Sequence, residues 1–278
     1  MAALDPITLQ LIALALEEDA ARDDLTAQAT IPPGKPGKAS IRAKANGVLS
    51  GVTIAEHVFR SLDTGISIEW KKRDGDAVAQ GDRICALAGD LRALLAAERT
   101  ALNFLQHLSG IATATRAFVE AVRGTGCAIV DTRKTVPGMR LAAKRAVLHG
   151  GGVNHRENLA GGMLIKENHI EGCGSIARAI AACRAVGKRW VEVECETLAQ
   201  VRKAVAAQPD IILLDNMDPA QVRKARALVP REIVLEASGN ITLANVREYA
   251  QTGVDRLAIG SITHSAPALD LSMRVESS

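Results

Sequence analysis

The stretch WVEVECETLAQVRKAVAAQPDIILLDNMDPAQVRKARALVPREIVLEASG, residues 190–239, decides how this chain folds. Three short runs of aliphatic and β-branched residues stand in it, each closed by an acid. Val191 leads into Glu192 and Glu194, residues 211–214 lead into Asp215, and residues 233–235 lead into Glu236. Between them lie Ala-rich stretches with apolar residues at helical spacing. The same unit recurs on both sides: residues 128–130 run into Asp131 and 163–165 into Lys166, and downstream 257–259 run into Gly260. The closing positions 131, 166, 194, 215, 236 and 260 are 35, 28, 21, 21 and 24 residues apart, room for one strand and one returning helix each. Six such units predict a parallel sheet of α/β class with a closed barrel as its leading form, although six is fewer than the usual eight. An open doubly wound sheet is the structural alternative.

The first half reads differently, as α+β. Asp5 and Pro6 mark a helix start ahead of Ile7, Leu11 and Leu14. Residues 31–38 form a Pro/Gly/Lys loop, 40–49 alternate like a strand, and Asp74-Gly75-Asp76 and Gly81-Asp82 are turns. A long helical pattern runs over 91–122, with a break expected near Ser109-Gly110.

Composition removes several function classes. A chain of 278 residues with 47% hydrophobic and 23% charged residues builds one large or two modest cores rather than a disordered ensemble. Its net charge of +3 is too small for a nucleic-acid or membrane-surface partner, and 3 Phe, 2 Trp and 1 Tyr offer few platforms for stacking bases. No apolar run approaches the ~20 residues of a membrane span. The first residues lack a secretory signal, and the five cysteines contain no Cys-x-x-Cys pair, so reduced thiols in a cytoplasmic protein are expected.

Chemistry gathers where the strands end. In parallel α/β folds the carboxyl ends of the strands carry the site, so Asp131, Arg133, Lys134, Lys166, Glu167, Glu192, Glu194, Asp215, Glu236, Ser238, Gly239, Gly260 and Ser261 can be collected into one mouth. Glu192 and Glu194 are two apart, share a strand face and turn inward, where carboxylates need partners or a cation. The blander reading pairs them with Arg133, Lys134 and Lys166 as a structural ion network. Residues 131–169 carry seven Lys/Arg against three acids. Lys144 and Arg145 read as a solvated helix face, whereas Arg133, Lys134, Arg156 and Lys166 fall in strand-end or loop contexts suited to an anion. Ser238-Gly239 and Gly260-Ser261 suit a phosphate cradle, or ordinary tight turns. No Ser-His-Asp spacing, P-loop or His-rich metal motif occurs. These residues predict electrostatic catalysis on a phosphorylated, carboxylated small molecule, with Mg²⁺ bridging acids and phosphates.

At these positions the chain resembles the quinolinate phosphoribosyltransferase family. The matching strings are Glu-Arg-Thr-Ala-Leu-Asn-Phe (98–104), Leu-Ser-Gly-Ile-Ala-Thr (108–113), Asp-Thr-Arg-Lys-Thr (131–135) and Gly-Gly-Gly-Val-Asn-His-Arg (150–156). Leu-Ile-Lys-Glu-Asn-His-Ile (164–170), Val-Glu-Val-Glu (191–194), Leu-Leu-Asp-Asn (213–216), Glu-Ala-Ser-Gly (236–239) and Gly-Ser-Ile-Thr-His (260–264) continue them in order. The resemblance implies transfer of the phosphoribosyl group of phosphoribosyl pyrophosphate to quinolinate with loss of CO₂, giving nicotinate mononucleotide. Carried over by position, it implies that Arg99, Arg133, His155, Arg156 and Lys166 bind the two carboxylates, and that Lys134 and His264 meet the phosphates. Glu194 and Asp215 would hold ribose hydroxyls and Mg²⁺, with Ser238, Gly239, Gly260 and Ser261 at the 5′-phosphate; Lys134, Lys166, Glu194 and Asp215 form the implied catalytic set. It further implies an N-terminal α/β sandwich over 1–112, rejoined by 266–278, and an incomplete, six-stranded α/β barrel over 113–265. A homodimer, or a hexamer built from it, would bring Arg99 into the neighbouring subunit's site.

Three rivals remain at this stage. One is a paralogue of the same fold associated with molybdenum transport, which departs where this chain keeps Arg99 and Lys166. A nicotinate-specific phosphoribosyltransferase needs only one carboxylate clamp. A non-catalytic anion binder has no use for Glu194 and Asp215.

Overall fold

The first helix begins where its sequence asks. Asp5 accepts the Thr8 backbone N–H at 2.9 Å, and Pro6, which has no N–H to leave unpaired, takes the first position of α1 (Pro6–Glu18). In the computed structural model, which describes residues 4–187 and 189–276, the chain continues through α2 (Leu25–Thr30), β1 (Pro36–Ala43), β2 (Gly47–Val48), α3 (Val52–Leu62), β3 (Ser67–Trp70), β4 (Ala77–Val78), β5 (Arg83–Asp90) and α4 (Leu91–Ala121). The alternating units follow: β6 (Ala128–Val130), α5 (Arg140–Gly150), β7 (Met163–Ile165), α6 (Glu167–Cys173), α7 (Ile176–Val186), β8 (Val191–Cys195), α8 (Leu198–Ala207), β9 (Ile211–Asp215) and α9 (Pro219–Leu228). β10 (Val234–Ser238), α10 (Val246–Ala250), β11 (Arg256–Ala258), α11 (Ser261–His264) and β12 (Leu271–Val275) complete the described chain.

Two compact units result. The first takes the described residues up to Arg116, then Thr135–Gly151, then the described residues from Ile262 onward. The second takes Ala117–Lys134 and Gly152–Ser261. The outer ends of the expected N-terminal domain, residues 1–3 and 277–278, lie outside the described residues.

In the first unit an antiparallel sheet runs in the order β12-β1-β5-β3, beside a small β2-β4 pair. β1 is its spine: it pairs Ala39–Ala43 with Val275–Leu271 on one side and with β5 on the other. The amphipathic α3 buries Ile54, Ala55, Val58 and Phe59. The strand expected over 40–49 is in fact two, because pairing stops at Ala43 and resumes at Gly47.

The expected break at Ser109-Gly110 does not occur; α4 is continuous for 31 residues. Both residues have other reasons to be small. A side chain at Gly110 would place its Cβ 2.2 Å from the Pro267 carbonyl, so glycine admits a close backbone approach here. Ser109 Oγ accepts the Ser50 N–H at 2.9 Å. The same closeness ties α5 to this unit: a Cβ on Gly150 would lie 2.5 Å from the Ala112 carbonyl, and Arg116 Nε donates to the Gly150 carbonyl at 2.9 Å.

The second unit carries six parallel strands in the order β6-β11-β10-β9-β8-β7. β6 and β7, consecutive in the chain, occupy opposite edges and do not pair, so the ring of hydrogen bonds is open. The sheet is nonetheless curled, because residues following both edge strands line one cavity. The closed barrel expected from the spacing of the strand ends is therefore corrected to the incomplete barrel that the family resemblance implies, and the open doubly wound alternative is set aside. Val191, Val193, Cys195, Ile212, Leu214, Leu235 and Leu257 are completely buried, and the alternate positions face the interior.

Candidate active site

Period two along the strands puts Leu164 and Lys166, Glu192 and Glu194, Leu213 and Asp215, and Glu236 and Ser238 on interior faces. Strand register sets their neighbours: Glu194 beside Leu213, Asp215 beside Ser238, Ser238 beside Ala258, and Glu236 beside Arg256. The upper members open onto a cavity of about 340 Å³ lined by Asp131, Thr132, Arg133, Lys134, His155, Arg156, Leu164, Lys166, Glu194, Leu213, Asp215, Glu236, Ser238 and Ala258. Leu164, Leu213 and Ala258 supply its apolar lining, and charged and polar groups supply the rest.

Cations dominate one side. Arg156 is half-buried; burial lowers its pKa, and the neighbouring Arg133 lowers it further. Two guanidiniums that repel each other in a partly desolvated wall are a standing invitation to an anion. Arg156 is braced from behind, its Nη1 donating to the Gly162 carbonyl at 3.0 Å. Lys166 reaches in from the end of β7, with Nζ 2.5 Å from Glu194 Oε2. Burial raises the pKa of Glu194, the Lys166 ammonium draws it back, and the Asp215 carboxylate pushes it up again. Glu194 and Asp215 therefore share one electrostatic neighbourhood.

Beneath this layer lies a second group of acids. Glu192 and Glu236 are 0% and 1% exposed, and His155 Nε2 stands 2.8 Å from Glu192 Oε2 and 3.8 Å from Glu236 Oε1. Arg256 Nε is 3.5 Å from Glu236 Oε2. Asp131, completely buried, accepts the His155 backbone N–H at 2.8 Å and the Asn154 side-chain N–H at 2.6 Å. Burial opposes a second proton on His155, while the carboxylates of Glu192 and Glu236 favour one and on balance raise its pKa. That proton would have to land on Nδ1, which already accepts the Arg156 backbone N–H at 2.8 Å. The hydrogen-bond geometry instead leaves it with the acids, where burial and the Glu192 carboxylate push Glu236 up to about 7.

A stability prediction arises here. Between the ordinary carboxyl range and about pH 7 the folded chain holds a proton on Glu236 that the unfolded chain releases, so this group's contribution to stability declines as pH rises through that window. The melting temperature is expected to fall between about pH 5 and about pH 8, and Glu236→Gln to remove that part of the slope. Equal slopes for both proteins by calorimetry would refute the shifted Glu236.

The cavity collects Asp131, Arg133, Lys134, His155, Arg156, Lys166, Glu194, Asp215, Glu236 and Ser238 from among the residues singled out in the sequence. Gly239, Gly260 and Ser261 belong to the same unit but do not line it. Arg99, exposed on α4, and His264, whose Nδ1 meets Ser265 Oγ at 2.6 Å, belong to the other unit. Sequence reading left out Thr132 and the apolar lining residues. Leu164 and Leu213 could have been found, since each stands two residues before a singled-out strand-end residue and so shares its face. Among the described residues, the one group with metal-ligand geometry is His155, Glu192 and Glu236, with ligand atoms within 4.8 Å of one another. No helix among them is long and apolar enough to cross a membrane.

Comparison with known proteins follows the same outline. The model described as quinolinate phosphoribosyl transferase, N-terminal domain, matches residues 24–109, and that of the C-terminal domain matches 111–274. The chain is 44% identical over 260 residues to the probable nicotinate-nucleotide pyrophosphorylase [carboxylating] of Bacillus subtilis (strain 168), covering 93% of this chain and 90% of that one. With the Mycobacterium leprae (strain TN) nicotinate-nucleotide pyrophosphorylase [carboxylating] it shares 42% over 258 residues, 90% of each chain. The structure superposes on the nicotinate-nucleotide pyrophosphorylase of Francisella tularensis with a TM-score of 0.95 at 39% identity, covering 99% of this chain and 98% of that one.

Proposed function

The chain belongs to the quinolinate phosphoribosyltransferase family, and from that premise we infer how its cavity carries out the reaction. The enzyme transfers the phosphoribosyl group of phosphoribosyl pyrophosphate to quinolinate with decarboxylation, forming nicotinate mononucleotide, pyrophosphate and CO₂ in de novo NAD biosynthesis. One observation carries the assignment of roles: Arg133, Arg156 and Lys166 converge on one cavity that Leu164, Leu213 and Ala258 also line. A flat pyridine with two adjacent carboxylates matches apolar side chains set among cations in one cavity.

In this reading Arg133, Arg156 and Lys166 hold the two carboxylates and fix the ring so that its nitrogen faces C1 of the ribose. The nitrogen lone pair forms the new bond to C1 as the C1–O bond to pyrophosphate breaks and its electrons leave with that oxygen. Lys134, exposed at the rim, meets the departing negative charge. Glu194 and Asp215 take the ribose hydroxyls, where a carboxylate tolerates the positive charge that develops at C1. The ribosylated ring nitrogen is cationic, so when the C2–CO₂ bond breaks its electron pair is stabilised at C2 until a proton arrives. No protein nucleophile is needed.

Glu194 and Asp215 also fit a divalent cation: both offer hard carboxylate oxygens in one neighbourhood, the donor type Mg²⁺ takes together with substrate phosphates. Such an ion would supply charge neutralisation for pyrophosphate. Ser238, Gly239, Gly260 and Ser261 take the 5′-phosphate. Exposed Arg99 serves the partner subunit's cavity in a homodimer, which higher assembly to a hexamer would preserve. The place of action is the cytoplasm, in keeping with five free thiols.

The test supplies quinolinate, phosphoribosyl pyrophosphate and Mg²⁺ and follows nicotinate mononucleotide and CO₂. Product with quinolinate and none with nicotinate is expected, because one carboxylate leaves part of the Arg133, Arg156 and Lys166 wall unneutralised. Faster turnover of nicotinate would favour the non-decarboxylating rival, and no product from either would favour a paralogue or an anion binder.

A further inference from the structure

We propose that His155 is a positioning residue for Arg156, holding the backbone that aims the guanidinium at the cavity, and that it takes no bond from the substrate itself. The inference rests on the reading that this cavity binds quinolinate.

The geometry of the ring carries it. His155 Nδ1 accepts the Arg156 backbone N–H at 2.8 Å, so that nitrogen bears no proton and the ring proton sits on Nε2. Nε2 is 2.8 Å from Glu192 Oε2, a fully buried acceptor, and donates to it. Both ring nitrogens are thus committed to the protein. The side chain is 9% exposed, and its ring meets Trp190 edge-on, with centroids 5.4 Å apart and planes at 89°. A ring held at two nitrogens and one edge cannot swing toward a ligand without breaking several contacts together.

The segment it braces lacks regular structure of its own. After α5 the chain has no helix or strand until β7 at Met163, yet it must deliver Arg156 to a defined place. A series of bonds secures it. Val153 N–H donates to the Ile129 carbonyl at 2.8 Å, and Asp131 N–H donates to the Val153 carbonyl at 3.1 Å. Asp131 then accepts from Asn154 and from the His155 N–H, and His155 Nδ1 accepts from Arg156. Each residue from 153 to 156 is therefore tied down in turn, and the His155 ring is the last tie before the guanidinium. Misplacing such a group by 1 Å costs on the order of 10²-fold in rate.

A double-mutant cycle tests this with steady-state kinetics on the full chain. His155→Ala and Arg156→Ala are each expected to raise the KM for quinolinate about tenfold or more, leaving the KM for phosphoribosyl pyrophosphate near wild type. The double variant should be no worse than Arg156→Ala alone, within about twofold, because the ring has nothing left to position. His155→Asn, whose side-chain oxygen can still accept the Arg156 N–H, should recover most of what alanine loses. If alanine leaves Glu192 unpartnered and the protein does not fold, His155→Gln replaces it in the cycle, since its side-chain N–H can reach toward Glu192. Multiplicative losses in the double variant, or an asparagine variant as impaired as alanine, would overturn the proposal and show that His155 contacts substrate. A wild-type protein without quinolinate-dependent turnover would sink the functional reading, and this inference with it.

Discussion

Lys166→Ala and Arg133→Ala are each expected to lower kcat/KM by about 10²- to 10³-fold while the protein stays folded. The two losses differ in kind. Lys166 Nζ lies 2.5 Å from Glu194 Oε2, and Glu194 is only 7% exposed. Its pKa already stands above the ordinary carboxyl value through burial and the Asp215 carboxylate, with Lys166 as the opposing influence. Removing the ammonium takes away a carboxylate ligand and also shifts Glu194 toward its neutral form, in which it no longer serves the ribose or a cation. The Lys166 variant should therefore lose both quinolinate affinity and turnover. Arg133 acts beside Arg156: its removal lifts one cause of the lowered Arg156 pKa, burial remaining the larger, and leaves one guanidinium where two faced the diacid. Its loss should fall mainly on the KM for quinolinate. Initial-rate measurements with thermal melts decide the matter, and near-normal kcat/KM in both folded variants would refute the site.

Gly239→Ala is expected to raise the KM for phosphoribosyl pyrophosphate about tenfold or more, with quinolinate affinity less affected. Gly239 sits at φ +95°, a conformation costly for any residue with a side chain. An added Cβ would stand 2.1 Å from Asn216 Oδ1 and 3.0 Å from the Asn216 backbone nitrogen. Asn216 has no slack: its own φ is +55°, its backbone N–H donates to the Ser238 carbonyl at 2.9 Å, and its side chain donates to Asp215 Oδ2 at 2.7 Å. Asn240 donates to it from the far side at 3.2 Å. A methyl group must therefore push Asn216 aside and take the Asp215 hydrogen bond with it; overpacking of this kind costs about 1–3 kcal/mol. An unchanged KM for phosphoribosyl pyrophosphate in a folded Gly239→Ala protein would show that this turn does not support the sugar-phosphate side.

The second unit was legible because its two periods agree. Apolar runs such as Ile211–Asp215 end in a polar residue and are followed by helical spacing, so β6, β7, β9, β10 and β11 fall where the runs fall. The face of each strand could be read from its acids, since Glu192 and Glu194 both turn inward. Long-range packing was not legible. Gly110 reads locally as a helix breaker, and only the approach of Pro267, more than a hundred residues away, explains why glycine stands there. His155 enters as a substrate partner only through the family resemblance, and its hydrogen-bond commitments cannot be read from a sequence. Its partners Glu192 and Asp131 come from two other strand ends. Glu236 was visible as a strand-end acid, but its shift depends on Glu192 lying beside it in space.

The pairing of β1 with β12 sets a timetable for biosynthesis. β1 leaves the ribosome early and can soon find β5, but its other edge belongs to Leu271–Val275. At about 5–20 residues per second, roughly 10–50 s of translation separate the two strands. Throughout that interval the nascent chain carries an uncapped strand edge, the kind of surface onto which a second chain can add. Shielding by a chaperone, or swift burial of that edge once the final strand emerges, then governs how much of the protein reaches its native state.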